Sequence, residues 1–298
     1  MKNKDWGLFW LVGLIWGTSF LWIKIAVDDV SPIMLVAFRT LFGTLGLGII
    51  VALNKGAHVS WNIIKKRLFD FFIMGLFNIA LPWILISWAE QFTDSGKAAV
   101  LNGTMPLFTI LLSPIFNKDD RITLPKLGGL VISFIGVVIL IVPSIQGKWS
   151  NDLLGQAAIL LATISYASAT VFARKKSQGL PAQMQAFLQL SAGTIIIWVT
   201  ALFTEKPIIF PQLPITWLAL IWLGLLGSCV AYIIYFSLLH KIGPTRMSMV
   251  TYIPPLIGMI LGVVFLKEQF YWQALLGALL ILSGITIVNL RQEGLQKT

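Results

Sequence analysis

An arginine lies in the middle of an apolar segment that is otherwise free of charge. The segment covers residues 33–53, and Arg39 is its single charged side chain. A guanidinium cannot be deprotonated in a protein and is costly to place in hydrocarbon. We therefore expect Arg39 to face the inside of a helix bundle. It either bonds helix-end carbonyls or pairs with Glu90, or it borders an aqueous cavity, where it binds a carboxylate or tunes the electrostatic potential that a solute meets.

A second set of residues follows a helical repeat between positions 96 and 116. Its members share one helix face at i, i+4, i+7 and i+11: Asn102, Pro106, Thr109 and Ser113. Small residues permit close helix packing in membranes. A proline also frees a backbone carbonyl that can face a solute. The face is therefore a packing surface or a cavity wall, and the two roles can coexist.

Aromatic and amide side chains form a third set. Tryptophan and tyrosine near span ends are usually interfacial anchors, but several here lie mid-span. The set comprises Trp16, Phe20, Trp83, Trp88, Tyr166, Tyr232 and Tyr252, with Gln185 and Gln189 together on one helix face. Each member either packs against neighbouring helices or lines a partly aromatic cavity. Such a cavity suits amphipathic solutes or organic cations.

Intramembrane acids, which a proton relay requires, are scarce in this chain. Glu90 is the best candidate for an ion pair or a proton site, whereas Asp70 and Glu268 are the other acids near span ends. A uniporter or an exchanger therefore fits the sequence as well as a proton-coupled carrier does.

Enzyme chemistry finds no support in the sequence. His58 and His240 are not paired at metal-ligand spacing, and no glycine-rich phosphate loop follows a predicted strand. No serine, histidine and carboxylate are placed to meet at one depth. We therefore expect no catalytic residue, no metal and no cofactor.

These candidate residues are carried by a chain with the composition of an integral membrane protein. Hydrophobic residues make up 57% and charged residues 11% of its 298 residues, against about 25% charged in a soluble domain. A span needs about 20 mostly apolar residues. Spans are predicted at 6–26, 31–53, 68–91, 96–116, 124–142, 153–173, 182–203, 215–239, 245–266 and 271–290. The predicted fold class is all-α, with ten transmembrane helices in a lipid bilayer.

Basic residues predict the orientation of these spans. With the N-terminus in the cytoplasm, inner segments hold 16 of the 22 Lys and Arg residues and outer segments hold 5. Because inner loops are enriched in Lys and Arg, we expect both termini in the cytoplasm. Short basic clusters beside an anionic membrane surface account for the net charge of +10. Nucleic acid is therefore not an expected partner.

The two halves of the chain resemble each other at a nearly constant offset of 149 residues. Gly75 maps to Gly224 and Pro106 to Pro255, and a glycine pair seven residues apart recurs in the last helix of each half. Five helices is an odd number, so the second copy is expected to be inverted. Inverted repeats with a substrate site near the midplane are a recurrent transporter design. We predict one membrane domain made of an N-terminal repeat, 1–147, and a C-terminal repeat, 148–298.

Six segments carry a family resemblance: IWGTSF at 15–20, IKIAV at 23–27, SPIMLVAFRTLFG at 31–43, SWAEQFTDSGKAAVLNGTMPLFTILLSP at 87–114, GGLVISFIGVVIL at 128–140 and VFLKEQFYWQALLGALLILSGITIV at 264–288. With these segments the chain resembles the drug/metabolite transporter superfamily, in its ten-helix EamA-type branch. The first segment adds Ser19 to Trp16 and Phe20 as a candidate cavity residue. The second half departs from the first, because Leu188 corresponds to Arg39 and SYASA at 165–169 only loosely matches WGTSF.

The resemblance implies two inverted five-helix repeats around a central cavity, with helices five and ten at the periphery. Members of that superfamily move small organic solutes such as amino acids, other metabolites and drugs, often outward. We therefore expect a plasma (inner) membrane secondary transporter that exports a small-molecule solute by alternating access. We expect it to act as a monomer or homodimer. A channel, or a receptor or scaffold that does not transport, is the alternative.

Cysteine accessibility tests the predicted orientation. In a background in which Cys229 is replaced, single cysteines at Asn62 and Ser177 should be shielded from an impermeant thiol reagent in intact cells, because we expect both on the cytoplasmic side. Cysteines at Ser144 and Gln212 should react. Reaction of the first pair in intact cells would contradict the orientation.

Overall fold

The computed structural model describes residues 3–54, 56, 59–116, 123–145, 151–176, 180–242, 247 and 249–295. Every regular element within these residues is helical, which confirms the predicted all-α class. Large apolar side chains such as Leu45, Ile49 and Phe203 are strongly exposed. A contiguous apolar exterior is what a surface against lipid tails requires.

Helices α1 to α5 belong to the first half of the chain. They cover Asn3–Ala26 (α1), Pro32–Leu53 (α2), Trp61–Ala89 (α3), Ser95–Asn102 with Met105–Phe116 (α4), and Leu124–Ile145 (α5). Helix α2 has a favourable start, because Ser31 accepts a hydrogen bond from the Met34 N–H and Pro32 occupies the first turn.

Helices α6 to α10 belong to the second half. They cover Asn151–Lys176 (α6), Ala182–Thr204 (α7), Pro214–Ile221, Trp222–Val230 and Ala231–Ile242 (α8), Met249–Tyr252 and Ile253–Phe265 (α9), and Trp272–Leu295 (α10). In the described residues, eight apolar helical segments are long enough to cross a bilayer. Two shorter apolar helices, Val250–Phe265 and Trp272–Ile287, fall in α9 and α10. The count of ten spans therefore stays a prediction.

Helix α3 begins at Trp61, whereas the sequence predicted a span from residue 68. Its first two turns contain Lys65, Lys66 and Arg67. These residues are good helix formers. Their charges lower the mean hydropathy of the two turns, so a hydropathy criterion leaves the turns out of the span. Helix formation and membrane insertion have different requirements, so the helix extends beyond the apolar run.

Helices α2 and α7, which correspond at the offset of the two halves, run antiparallel along their whole length. Three side-chain hydrogen bonds follow the pair from one end to the other: Ser31 to Glu205 at 2.7 Å, Thr44 with Thr194 at 2.8 Å, and Asn54 to Gln183 at 2.7 Å. Residue numbers rise along α2 as they fall along α7, which defines the antiparallel direction.

Helices α5 and α10 form a second antiparallel pair and pack mainly against each other. Two glycines from each helix make this possible. A Cβ atom at Gly136 would lie 2.7 Å from the Gly277 carbonyl oxygen, and one at Gly284 would lie 2.3 Å from the Gly129 carbonyl oxygen. The Ser133 hydroxyl also donates to the Ile281 carbonyl at 3.1 Å. Backbone contact of this kind requires glycine, as is common between helices in membranes.

Helices α4 and α9 form the third antiparallel pair, and both are interrupted. Helix α4 breaks at Gly103 and Thr104, before Pro106, and α9 opens with the 3₁₀ turn Met249–Tyr252, before Pro255. A proline has no N–H to continue the hydrogen bonding of the preceding turn. A Cβ atom at Gly103 would lie 3.1 Å from the Pro255 ring, so the two interruptions meet. The unbroken helix face assumed for Asn102 and Pro106 is therefore divided.

Helices α3 and α8 each contain a π-helical stretch at corresponding positions. These stretches are Leu76–Ala80 in α3 and Trp222–Val230 in α8. Each follows or contains a glycine packed against another helix: a Cβ atom at Gly75 would lie 2.7 Å from the Gly193 nitrogen, and one at Gly224 would lie 2.9 Å from the Arg39 carbonyl oxygen. A π turn leaves backbone carbonyls open to side-chain donors and is frequent at functional sites.

The glycine contact between α5 and α10 gives a stability prediction. Gly136→Ala should lower the midpoint of thermal unfolding of the purified protein relative to Gly128→Ala, because the new methyl group collides with the Gly277 backbone. The expected difference corresponds to about 1–3 kcal/mol of overpacking.

Gly128 is the matched control, since open space surrounds its Cβ position and both substitutions bring the same gain in helix propensity. Equal midpoints for the two variants would show that α5 and α10 do not touch at this point.

Candidate functional site

Arg39 is buried at the junction of α2, α3 and α8. Its side chain is 7% exposed. The guanidinium carbon lies 3.7 Å from the ring centroid of Trp83, a close cation–π contact. The Nε atom donates a hydrogen bond to the Ser228 hydroxyl at 3.2 Å. An aromatic face and a hydroxyl thus partner a charge that lipid alone would not accommodate.

The terminal nitrogens of Arg39 keep their donor capacity. Neither donates a hydrogen bond to a described residue, and Arg39 forms no ion pair with a residue in the described part of the chain. Glu90, which the sequence offered as its ion-pair partner, makes no such contact. A guanidinium has five N–H donors in a planar fork that matches a carboxylate. The arrangement can therefore receive an acceptor group from a solute.

Ser228 is held in place by the π-helical stretch of α8. Its hydroxyl donates to the Leu223 carbonyl at 2.9 Å, five residues back, while it accepts from Arg39. In a regular α-helix a serine hydroxyl reaches back three or four residues. The wider π turn moves this partner carbonyl back by one residue.

Tyrosines and a second tryptophan surround the guanidinium. Tyr166 and Tyr232 both interact electrostatically with Arg39, and the Tyr166 hydroxyl also interacts with Trp83. The Trp16 ring lies 6.0 Å from that of Tyr232 and 5.4 Å from that of Tyr235. The structure thus brings together Arg39, Trp83, Tyr166, Tyr232 and Trp16, which come from five different helices.

Two corresponding contacts join each π-helical stretch to the first helix of the other half. The Trp16 indole N–H donates to the Gly227 carbonyl at 3.1 Å, and the Ser165 hydroxyl donates to the Phe77 carbonyl at 2.7 Å. At the repeat offset, Trp16 corresponds to Ser165. The sequence comparison paired WGTSF with SYASA only loosely, because a tryptophan and a serine share no obvious likeness. Their common property is one donor aimed at a π-helix carbonyl.

The other predicted site residues lie in several places. Ser19 is buried and donates to the Ile15 carbonyl of its own helix, while Phe20 and Gln189 are buried as well. Gln185 and Tyr252 are half-buried. Trp88 packs on Phe92 and is 37% exposed, so it does not join the cluster around Arg39.

Asn102 and Pro106 lie on either side of the break in α4, and both are half-buried. The Asn102 side-chain oxygen is enclosed without a hydrogen-bond partner. An enclosed amide oxygen without a donor is unfavourable. A solute or water donor at the break in α4 would satisfy it.

We call the end of the bundle at which α1 ends and α2 begins the predicted outer end. At this end, the Asp29 carboxylate forms hydrogen bonds with another part of the chain. Asp29 accepts hydrogen bonds from the Gln212 and Leu213 N–H groups, each at 3.0 Å, just before α8. The Leu213 backbone N–H is the main reason that the pKa of the Asp29 carboxyl lies below its usual range. The contact therefore links the α1–α2 connection to α8 while Asp29 is charged.

The part of the chain that the structure describes contains no group of side chains that could bind a metal ion. No three His, Cys, Asp or Glu side chains gather there in a way that could hold a metal ion. Cys229 is a buried, free thiol. The site consists of a guanidinium, aromatic rings, hydroxyls and backbone carbonyls.

The profile of the EamA-like transporter family matches the chain twice, over residues 5–142 and 153–290. The chain belongs to this family. The resemblance predicted from the sequence is confirmed, and the family and its transporter-named members support a multi-pass membrane transporter.

Relatives similar over nearly the whole length support this assignment. The chain is 26% identical to the uncharacterized transporter YoaV of Bacillus subtilis, covering 92% of each chain. It is 29% identical to the protein PecM of Dickeya dadantii, covering 97% of this chain and 93% of that one. It is 27% identical to the uncharacterized inner membrane transporter YedA of Escherichia coli K12, covering 86% and 81%. A solved crystal structure with 19% identity shares the fold, with a TM-score of 0.67 over 97% of this chain and 98% of that one.

A double-mutant cycle tests the contact between Arg39 and Trp83. Arg39→Leu, Trp83→Leu and the double variant are compared by thermal unfolding. The loss in the double variant should be smaller than the sum of the single losses by about 0.5–2 kcal/mol, the range for a desolvated cation–π pair.

Trp10→Leu is the matched control for the loss of a tryptophan, since Trp10 is 53% exposed. Its effect should add to that of Arg39→Leu. If the stability losses of Arg39→Leu and Trp83→Leu were also additive, the contact between the two side chains would be contradicted.

Proposed function

We propose that this protein is a secondary transporter that binds a small organic solute beside Arg39 and carries it across the membrane by alternating access. One observation carries the proposal. A permanent positive charge is buried between an aromatic ring and a hydroxyl, with its terminal donors unused. A chain that spans lipid keeps such a charge inside at a cost, and a solute that needs the charge gives a reason for it.

Alternating access between two inverted five-helix repeats is the second part of the proposal. Its support is that corresponding helices α2 and α7, α4 and α9, and α5 and α10 pack as antiparallel pairs. The contacts of Trp16 with Gly227 and of Ser165 with Phe77 correspond under the same operation to within one residue. A pair of halves related in this way can rock around a site at their junction.

The chemistry of the cluster favours some solutes over others. A fixed guanidinium repels an organic cation at close range, so of the solute classes considered from the sequence we favour amphipathic molecules that carry a carboxylate. The acid group would meet the free nitrogens of Arg39, as in other bidentate carboxylate contacts. The rings of Trp83, Tyr166 and Tyr232 would contact the apolar part of the solute.

Export across the plasma membrane, with both termini in the cytoplasm, completes the proposal. It is supported by the predicted inner position of most basic residues and by the printed name of the relative YedA, an inner membrane transporter. In this arrangement the contact of Asp29 with the start of α8 lies on the outside. It has to break before a solute can leave.

Flux in proteoliposomes tests the proposal. Purified protein is reconstituted and screened with labelled amino acids, other organic acids, purines and cationic drugs. We expect saturable uptake of a carboxylate-bearing solute, and Arg39→Leu, which introduces the residue found at Leu188, should reduce it at least about tenfold, the effect of losing a charged hydrogen bond of about 1.5–3 kcal/mol. Arg39→Lys should retain part of the flux, because it keeps the charge and loses the planar fork.

Lys66→Leu is the control for the loss of a cation, since Lys66 is exposed at the start of α3. It should transport like the wild type. Fast, non-saturating flux would favour a channel, and an absence of flux for every class would favour a receptor or scaffold. Wild-type flux and affinity in well-folded Arg39→Leu protein would remove Arg39 from the site.

A further inference from the structure

The carboxyl group of Glu90 is enclosed at the predicted outer end without a partner. Glu90 directly follows α3 and is 0% exposed. Within the described part of the chain, neither of its carboxyl oxygens forms a hydrogen bond, and Glu90 belongs to neither ion pair of Lys97. One turn earlier, the hydroxyl of Ser87 is equally enclosed and has no hydrogen-bond partner. Glu90 is therefore a buried acid that nothing nearby neutralises by direct contact.

The nearest cation is engaged with the backbone. The Lys24 ammonium donates to the carbonyl oxygen of Glu90 itself and, at 3.1 Å, to that of Thr93. It thereby ties the end of α1 to the turn that follows α3. The ammonium interacts with the Glu90 carboxyl through space, without a hydrogen bond to it.

The remaining charged groups that act on Glu90 are Arg39 from α2 and Glu268 from the connection between α9 and α10. Arg39 contacts Trp83 and Ser228, and its guanidinium forms no hydrogen bond with the Glu90 carboxyl. Glu268 accepts hydrogen bonds from the Ser95 and Gly96 N–H groups at 2.7 and 3.2 Å.

A third group of charges at this end is paired internally. The Lys97 ammonium lies 3.2 Å from the Asp94 carboxylate and 3.1 Å from that of Asp152. A charged Glu268 beside Glu90 adds like-charge repulsion, and burial removes water. Both effects favour the neutral form of the Glu90 carboxyl.

We propose that Glu90 is a proton-binding site that is occupied when the predicted outer end is closed and empties when that end opens. In the step itself, a carboxylate oxygen of Glu90 takes one proton from a hydronium ion, which leaves a water molecule and a neutral carboxylic acid, and the reverse step returns the proton to a water molecule. Proton binding rests on the geometry at Glu90 alone. Its use to couple proton movement to solute transport rests on the proposed function.

The direction of the pH dependence follows from the two states. The closed state, in which Glu90 is enclosed, binds the proton more tightly than an open state in which water can solvate the carboxylate. Raising the pH therefore shifts the protein toward the open outer end. With one proton involved, the ratio of the two states changes at most about tenfold per pH unit.

Thiol accessibility in the purified protein measures this shift without any solute. Ser87→Cys in a Cys229→Ser background places a thiol where the hydroxyl is enclosed, and Gln91→Cys places one on the exposed side of the same turn. The labelling rate at position 87 is divided by that at position 91 at each pH, which corrects for the titration of an exposed thiol, and the same ratio in Glu90→Gln corrects for that of the enclosed thiol. We expect the ratio to rise at least about tenfold between about pH 5 and about pH 9.

Two variants identify the group responsible. Glu90→Gln carries no titrating group and should give a low, pH-independent ratio. Lys24→Gln removes the nearest cation, so it should move the rise to higher pH even if Glu90→Gln cannot be purified. A flat wild-type ratio, an unchanged profile in Glu90→Gln, or an unshifted profile in Lys24→Gln would each overturn the proposal.

Proton movement in proteoliposomes separates this inference from the proposed function. An internal pH dye should report proton flux coupled to solute flux in the wild type and not in Glu90→Gln. Solute flux with no pH dependence, combined with a flat labelling ratio, overturns the proton site and leaves the transporter. A pH-dependent ratio without flux of any solute overturns the transport function and leaves the proton site.

Discussion

A permanent charge inside the bilayer is the constraint on which the arrangement of the bundle centre depends. The guanidinium of Arg39 cannot be neutralised, so the protein has to surround it with groups that tolerate a cation. Trp83 offers the face of its ring, and Ser228 offers a hydroxyl that is itself fixed to Leu223. These two partners require α3 and α8 to lie close to α2. The same closeness brings Tyr166 and Tyr232 to the site, since both belong to helices that pack against it.

Backbone contact between helices is the second organising feature. Glycines at matching places let α5 touch α10 and let α8 touch α2, with carbonyl oxygens where side chains would otherwise stand. Hydrogen bonds along α2 and α7 fasten another pair from end to end. Helices α4 and α9 differ from these pairs, because their interruptions meet where Gly103 contacts Pro255.

Much of this organisation could be predicted from the sequence, because membrane insertion strongly restricts which residue types occur in a span. Arg39 was expected to face inward for electrostatic reasons, and Trp83, Tyr166 and Tyr232 were candidates for a shared aromatic cavity, with helix packing as the alternative. The glycine spacing of α5 and α10 indicated that the two halves correspond, and it did not predict their contact. These predictions use properties of single residues, which three-dimensional context modifies little.

Other features could not be predicted from residue types. Ser228 and Ser165 were missed because a serine in a membrane helix ordinarily bonds its own helix, and the π turns that redirect or receive these hydroxyls have no reliable sequence signal. The sequence showed Pro106 but not whether the chain would bend or break before it. The early start of α3 was missed since hydropathy measures insertion, and the helix continues past the inserted part.

The π-helical stretch at Leu76–Ala80 has a consequence for the length of the chain. A π turn accommodates one more residue than the α turn it replaces. Elsewhere in a span, removing a residue rotates everything beyond it by about 100° relative to the rest of the helix, since an α-helix has about 3.6 residues per turn. Within Leu76–Ala80, the loss of one residue converts the wide turn into an ordinary one, so Trp83 and Glu90 keep their directions. The stretch therefore acts as a spare unit of length, at which the chain can lose one residue while the aromatic partner of Arg39 stays in place.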